Sequence, residues 1–430
     1  MKIGIIGAGF VGLTFAAVLA SKKHDVILVD SDTEKIQKLT LSQIPFYEPK
    51  LDSLFTKFKN SISLTSDVSD LVQNCQIIFI TVGTPSLSTG GIDLTSVKLV
   101  IKKLSDLVNS SKKQPLIVLK STVIPGTHEK ISLQIDNSKS DLELISNPEF
   151  LREGKAVDDT LYPHIVVIGG NNKNSMNNLK RFYHDLYGKN TPIVITNPQT
   201  AEMIKYANNS FLATKISFIN QLANICQNIP GVNIDDVAKA IGVDPRIGSL
   251  FLNSGPGYGG SCLPKDLDAL ILLCKKIGQN SHLLKAVKQT NENQVKSILS
   301  LIKKIMGTTK NKKITILGLS FKEDSDDIRE SVSLKLIHSL LQNNAKITAH
   351  DPMAIPKTRE LFRDKINFSE SIPDALKNSE CVVIMTAWKD YRKLSKNDFT
   401  QMKKSVIIDT RRILVDKKLD ANYHALGLGI

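Results

Sequence analysis

Short apolar runs rich in isoleucine and valine recur through the first part of the chain. They are KIGIIG at Lys2–Gly7, DVILVD at Asp25–Asp30, QIIFITVGT at Gln76–Thr84 and LIVLKST at Leu116–Thr122, separated by stretches long enough for crossover helices. Runs apolar on successive positions suit strands buried on both faces, which predicts a parallel sheet with helices on either side. Near the C-terminus the pattern returns in the same order, as KITILGLSFK, AKITAHD, CVVIMTAWKD and SVIIDTRR. A strand opens on Lys-Ile, the next ends in aspartate (Asp30, then Asp351), and a later one is entered through cysteine (Cys75, then Cys381).

Between the two halves the period changes. AEMIKYANNSFLATKISFINQLANICQNI runs from Ala201 to Ile229 without glycine or proline, and its apolar residues fall at three and four spacing, which predicts one long helix. A helix bridging two domains commonly pairs with a partner chain, so a homodimer is expected. The polar, basic GTTKNKK at Gly307–Lys313 is the strongest linker candidate. The fold class expected is α/β, two doubly wound Rossmann-like domains joined by a long central helix, with boundaries at 1–198, 199–306 and 307–430.

The chain of 430 residues has 41% hydrophobic and 23% charged residues, an ordinary composition with enough apolar material for more than one core. Cys75, Cys226, Cys262, Cys274 and Cys381 are odd in number and scattered, with no CxxC pair or Cys/His cluster, so neither zinc nor a disulfide framework is expected and a reducing cytoplasm fits. The opening MKIGIIGAGFVG is broken by glycines and no apolar run reaches membrane length, so neither export nor a membrane span is expected. The formal net charge of +14 comes without a basic run or aromatic-basic interleaving. That argues against nucleic acid and leaves a lysine-rich surface or small anionic ligands.

Gly7-Ala8-Gly9-Phe10-Val11-Gly12 follows the opening strand directly, and Asp30 closes the next strand eighteen residues beyond the last glycine. Such glycines let the backbone approach a pyrophosphate at a helix N-terminus, and the acid accepts hydrogen bonds from an adenosine ribose. The charge of Asp30 would repel a 2′-phosphate, so NAD rather than NADP is the expected cofactor.

Cys75, Cys226 and Cys381 lie in apolar surroundings and read as core, with Cys274 similar; Cys262, inside GPGYGGSCLPKD at Gly255–Asp266, does not. Its glycines permit unusual backbone angles and close approach of a ligand, and Lys265 is placed to help stabilise a thiolate. Beside an NAD site, a nucleophilic cysteine solves a definite problem. Oxidising an aldehyde requires a nucleophile to add before a second hydride can leave.

Together with NPEFLREG (Asn147–Gly154), TVGTP (Thr81–Pro85), KSTVIPGT (Lys120–Thr127), FKEDSDDIRES (Phe321–Ser331) and DTRR (Asp409–Arg412), the cysteine motif resembles the UDP-glucose/GDP-mannose dehydrogenase family, in order and nearly end to end. The resemblance implies an NAD domain, a dimer-forming helix and a nucleotide-sugar domain. It also implies four-electron oxidation of a nucleotide sugar, UDP-glucose first, with GDP-mannose or a UDP-N-acetylhexosamine as alternatives.

The same resemblance implies roles. Cys262 matches the nucleophile that carries a thiohemiacetal and then a thioester, and Lys205 and Asn209 match the pair that contacts the reacting oxygen. Glu153 matches the group that activates the hydrolytic water, with Thr122 positioning a water, Asp266 near the same oxygen and Glu149 assisting; the residues themselves do not rank these carboxylates. Phe150, Leu151, Arg152, Tyr258, Gly259, Lys322 and Arg411 match sugar-nucleotide contacts, and Arg246 an arginine that reaches a partner subunit's site. Gly7, Gly9, Phe10, Val11, Gly12, Asp30, Lys35, Thr84, Thr122, Glu153 and Arg329 match the cofactor side. The chain departs from the family pattern at Leu263, often Phe, and at Lys50, often Gly.

A two-electron hydroxyacid dehydrogenase would need neither Cys262 nor a second nucleotide-type domain. A non-catalytic NAD sensor or nucleic-acid binder would leave Lys205, Cys262 and Glu153 without a purpose.

Overall fold

The computed structural model describes residues 1–111, 113–137 and 142–429. The chain divides into two compact units, one made of Met1–Asn208 with Asp268–Leu273, the other of Asn209–Leu267 with the chain from Cys274 onward.

The first unit holds β1 (Lys2–Ile6), β2 (Asp25–Val29), β3 (Ile62–Thr65), β4 (Ile77–Ile80), β5 (Leu116–Leu119), β6 (Leu144–Ser146), β7 (Val166–Gly169) and β8 (Ile193–Thr196). They form one sheet in the order β3-β2-β1-β4-β5-β6-β7-β8. In register, Ile3 of β1 lies between Val26 and Ile77. Strands such as β1 and β4 are apolar on successive residues because each face meets a core. Ile5, Phe15, Leu28, Phe79 and Phe182 fill one side; Ile6, Ile78, Ile80, Ile101 and Leu119 fill the other. The helix Phe10–Ser21 is buried all round from Gly12 to Ala20, so it carries no polar stripe.

One feature departs from an all-parallel sheet: β7 runs antiparallel to β6, and β8 is parallel to β7. The stretch between β6 and β7 contains one short helix, Ala156–Leu161, and re-enters the sheet from the end at which β6 left it.

The second unit repeats the plan. β9 (Lys313–Leu317), β10 (Lys346–His350), β11 (Asn367–Phe368), β12 (Cys381–Ile384), β13 (Val406–Asp409) and β14 (Asn422–Ala425) pair throughout in parallel, in the order β11-β10-β9-β12-β13-β14. Ile316, Leu336, Ile337 and Val383 belong to one core and Val382, Ile384, Trp388 and Tyr391 to another.

The expected long helix is a single element, Pro198–Cys226, and the division between the units falls within it. The helix His282–Met306 ends at Gly307, whose φ of +76° suits a residue without a side chain, and β9 begins at Lys313, so the proposed linker is the short connection between them. No helix among the described residues is long and apolar enough to cross a membrane. Cys75, Cys226 and Cys381 are buried, whereas Cys274, expected with them, is half-buried on the helix Leu263–Lys276.

Candidate active site

In the first unit, β1 turns at Gly7 with φ +107°, where a Cβ would meet the backbone of Thr81 and Val82 at 2.9 Å. A Cβ on Gly12 would come within 1.8 Å of the Gly7 carbonyl oxygen, so only glycine lets the helix start this close to the strand. Gly9 caps that helix without a side-chain hydrogen bond, and a Cβ there would have open space around it. Phe10 and Val11 open the first turn, and the Phe10 ring packs against Phe46 at 5.3 Å.

Asp30 leaves β2 beside this turn. Its Oδ2 accepts the Ala8 N–H at 2.8 Å and the Lys35 ammonium at 2.9 Å, and its Oδ1 accepts the Asp32 N–H at 3.0 Å. Burial works to raise its pKa, but these hydrogen bonds outweigh it and hold the carboxyl below its usual range. Lys35 is therefore committed to Asp30. A glycine-rich loop at a helix N-terminus, with an ionised carboxylate at the end of the next strand, fits a dinucleotide, whose chemistry when bound is to accept hydride. Thr84 is buried and Thr122 half-buried in the loops that follow β4 and β5.

The same unit encloses a cluster of charges. Lys205, on the long helix, donates to Glu149 Oε1 at 3.1 Å, and both are buried. Leu151 N–H donates to Glu149 Oε2 at 2.5 Å. Burial pushes the Glu149 pKa up, but the Lys205 charge, the Leu151 N–H and the Lys120 charge more than reverse it. Lys120 itself, buried with its ammonium over Phe15 and 3.1 Å from Asn147 Oδ1, has its pKa pulled down to about 8, chiefly by burial, with Lys205 adding to the effect and Glu149 opposing it.

Phe150 lies under the Lys205 ammonium, 5.5 Å from nitrogen to ring centroid. Arg152 is tied to Asp159 by its own N–H, Nε and Nη2. Although Glu149 and Glu153 are four residues apart, their segment is not helical, and their surroundings differ: Glu149 is buried, Glu153 half-buried. The end of this segment is anchored by Glu48, which accepts the N–H groups of Gly154 at 2.6 Å and Ala156 at 2.7 Å.

In the second unit Cys262 immediately precedes the helix Leu263–Lys276, and its carbonyl accepts the Asp266 N–H at 2.9 Å. A negative charge formed on Cys262 would therefore develop at the positive end of a helix. Ser261 Oγ is 3.6 Å from its sulfur. Asp266 is buried and accepts from Asn209 Nδ2 at 2.6 Å and Lys265 Nζ at 2.8 Å, so Lys265 neutralises Asp266 directly.

The glycines before Cys262 are buried, while Cys262 itself is half-buried. They admit close neighbours: a Cβ on Gly259 would lie 2.4 Å from the Glu330 carbonyl oxygen, and on Gly260, at φ +80°, 2.8 Å from the Phe321 ring. Asn220 and Gln294 hold the N–H and C=O of Gly255, and Asn291 holds those of Tyr258.

Arg411 reaches this loop. Its Nη1 would be 3.2 Å from a Cβ on Gly255, its Nε donates to the Met385 carbonyl at 2.8 Å, and burial pulls its pKa down against the opposing charges of Glu323 and Asp409. Lys322 lies over the Phe321 ring at 5.7 Å. Arg329 grips Asp327 with Nε and Nη2. Arg246, largely exposed, is held by Asp244 at 2.6 Å.

Lys120, Asn147, Tyr183 and Glu48 were missed as site residues although the first two lie in quoted motifs. Tyr183 donates to Asn147 Oδ1 at 2.5 Å across 36 residues, and no local spacing announces such a contact.

A dinucleotide cradle on the first of two sheets that share one order over six strands defines an NAD-dependent dehydrogenase built on paired Rossmann-like domains. The chain belongs to the UDP-glucose/GDP-mannose dehydrogenase family: residues 1–187 match its NAD binding domain, 199–293 its central domain and 315–416 its UDP binding domain. A UDP-glucose 6-dehydrogenase of Rickettsia conorii is 40% identical over 435 residues, covering 99% of each chain. The solved UDP-glucose dehydrogenase of Pyrobaculum islandicum aligns with TM-score 0.90 and 31% identity, covering 99% of this chain and 97% of that one. A UDP-N-acetyl-mannosamine dehydrogenase from S. aureus aligns with TM-score 0.82 and 26% identity over 99% of each chain.

Proposed function

We propose that this chain oxidises UDP-glucose to UDP-glucuronate, using two NAD per sugar and retaining the intermediate aldehyde. The observation that carries this reading is Cys262, a half-buried thiol at the start of a helix whose first turn holds the Asp266–Asn209 hydrogen bond. In the first oxidation the sugar C6 hydroxyl loses a proton and a hydride, and Lys205 and Asn209, one helical turn apart, stabilise the developing oxygen charge. The Cys262 thiolate then adds to the aldehyde, giving a thiohemiacetal. Loss of the second hydride leaves a thioester, and water cleaves its C–S bond to release carboxylate and thiol.

Glu153 is assigned to activate that water and Thr122 to position it, with Asp266 near the same oxygen. Glu149, whose charge is taken up by Lys205, is a holder of that lysine rather than a base. Phe150, Leu151, Arg152, Tyr258, Gly259, Lys322 and Arg411 are assigned to the nucleotide sugar; Lys35, Thr84 and Arg329 join the glycine loop and Asp30 on NAD.

A homodimer is supported by Phe211, Phe218 and Ile225, exposed apolar residues at seven-residue spacing on the long helix. In that assembly Arg246 serves the partner's site, residues 199–306 form the dimerisation part between the NAD and UDP-sugar parts, and the cytoplasm is the compartment.

The test is the number of NADH formed per UDP-glucose consumed, with limiting sugar and excess NAD. Two per sugar, abolished in C262A, is expected. One per sugar with free aldehyde overturns the covalent route. The S. aureus likeness supports a second reading, the same chemistry on a UDP-N-acetylhexosamine, which the same assay with that sugar decides.

A further inference from the structure

We propose that Glu202 is a positioning residue that sets Thr122 in place relative to Lys205; the inference rests on the role given to Thr122 above. Glu202 lies on the long helix three residues before Lys205, on the same face, and is 3% exposed. Its two carboxylate oxygens reach away from their own helix. Oε2 accepts the Gly126 N–H at 2.7 Å and Oε1 the His128 N–H at 2.8 Å. These groups open the helix Thr127–Asn137, so Glu202 caps that helix from a different one.

The loop between β5 and this helix carries Thr122, and it is held at both ends. At its start Ser121 donates from its N–H to the Ile80 carbonyl at 3.0 Å and from Oγ to the Val82 carbonyl at 2.7 Å. At its end Gly126, at φ +89°, is held by Glu202. Ser121, Thr122, Ser146, Glu202 and Lys205 line one small cavity.

A local Ser, Thr or Asp caps a helix at little cost, whereas a carboxylate buried for the purpose pays a desolvation penalty. What the distant carboxylate adds is a fixed distance. It joins the loop of Thr122 to the helix that presents Lys205, and neither a local cap nor a solvent-exposed one would do so. Burial raises the Glu202 pKa to about 7 against the backbone donors, consistent with that cost.

The test is a double-mutant cycle between Glu202 and Thr122 in the full-length enzyme, with saturating NAD and UDP-glucose. E202Q keeps the side-chain volume but replaces one acceptor with a donor that faces an N–H. The expected result is a fall in kcat on the order of tenfold, with both KM values within about twofold of wild type. T122A then costs far less in the E202Q background than in wild type, because the threonine is already displaced.

E202D, which keeps the charge with a shorter reach, gives the same cycle if E202Q is not recovered folded. Multiplicative effects of the two substitutions, or an E202Q enzyme that melts earlier with kcat unchanged, overturn the proposal by reducing Glu202 to a structural cap. A T122A enzyme with wild-type kcat overturns the role of Thr122 and the inference with it. Loss of all turnover in wild type, by contrast, points to the substrate reading and moves the same cycle to UDP-N-acetylhexosamine.

Discussion

Gly7 and Gly318 stand at the same point of two sheets. Each follows the central strand, with φ of +107° and +103°, and each donates its N–H to the last residue of the neighbouring strand, Val29 or His350. The aspartate after that strand accepts the next backbone N–H in both cases, Ala8 to Asp30 at 2.8 Å and Leu319 to Asp351 at 2.7 Å. Each also accepts the N–H two residues on, from Asp32 or Met353, and there the likeness ends. Asp30 is half-buried, whereas Asp351 is 3% exposed and also accepts from Ser320 N–H and Oγ, Ala354 N–H and the indole of Trp388.

After Gly318 the chain has no further glycines before its helix starts at Val332, and Phe321 and Glu330 from this stretch press on Gly260 and Gly259. One scaffold has thus been put to two uses. In the first unit the turn and its acid are left open to a ligand; in the second the acid is consumed by the protein and the turn supports the cysteine loop.

The largest effect that separates the two uses is expected at Asp351. D351A strands several buried donors and should cost roughly 4 kcal/mol or more, seen as a large fall in Tm or failure to fold. A Tm close to wild type would contradict the structural role. D30A removes a half-buried acceptor, and its cost in stability should stay below about 1.5 kcal/mol. Its effect falls on the cofactor instead. NAD affinity should drop roughly tenfold to a hundredfold, with the preference over NADP reduced, as titration of intrinsic fluorescence would show. If D30A binds NAD as wild type does, the open acid is not a ribose ligand and the contrast with Asp351 fails.

How much of this was legible depended on whether the signal was local. KIGIIG, DVILVD and their C-terminal counterparts were readable because a strand buried on both faces must be apolar on successive residues, and the glycine loop with Asp30 is a contiguous pattern. β6 and β8 were not: β6 is only three residues long, and Val194 and Ile195 of β8 are exposed, so length fails to mark the one and burial the other.

The packing of Gly259 and Gly260 against Glu330 and Phe321 was not legible, because those neighbours lie far along the chain. For the same reason the resemblance named Lys205 and Asn209, but no local pattern pointed to Lys120, whose surroundings are assembled from β5, the Asn147 loop and Tyr183.

Acid should weigh on both units through buried histidines. Burial holds the His128 pKa down at about 4, in the first unit, with Nδ1 3.0 Å from Ser146 Oγ. The folded state therefore binds this proton less readily than the unfolded state. The resulting stability is present above pH 6.5 and is lost as pH falls toward 4, by up to about 1.4 kcal/mol per pH unit. His350, in the second unit and also lowered mainly by burial, adds a dependence of the same sign. H128Q should accordingly flatten the fall in Tm between pH 7 and 5 without abolishing it. An unchanged slope would show that His128 is not the buried neutral group.

The smallest effect concerns Lys50. It sits at φ +69° just before the helix Leu51–Phe58, in a left-handed conformation that disfavours a side chain by about 1 kcal/mol. Its ammonium lies 2.6 Å from Asp158, but both side chains are substantially exposed, so the ion pair returns about 0–1 kcal/mol and less in salt. K50A keeps the backbone strain and loses the pair, whereas K50G loses both. K50G should therefore be the more stable of the two, by about 0.5 kcal/mol after the greater entropy of unfolded glycine is counted. Moderate salt should bring K50A level with wild type and leave K50G above both. If K50G instead melts below K50A, the left-handed turn is not strained, and the lysine costs this chain nothing at that position.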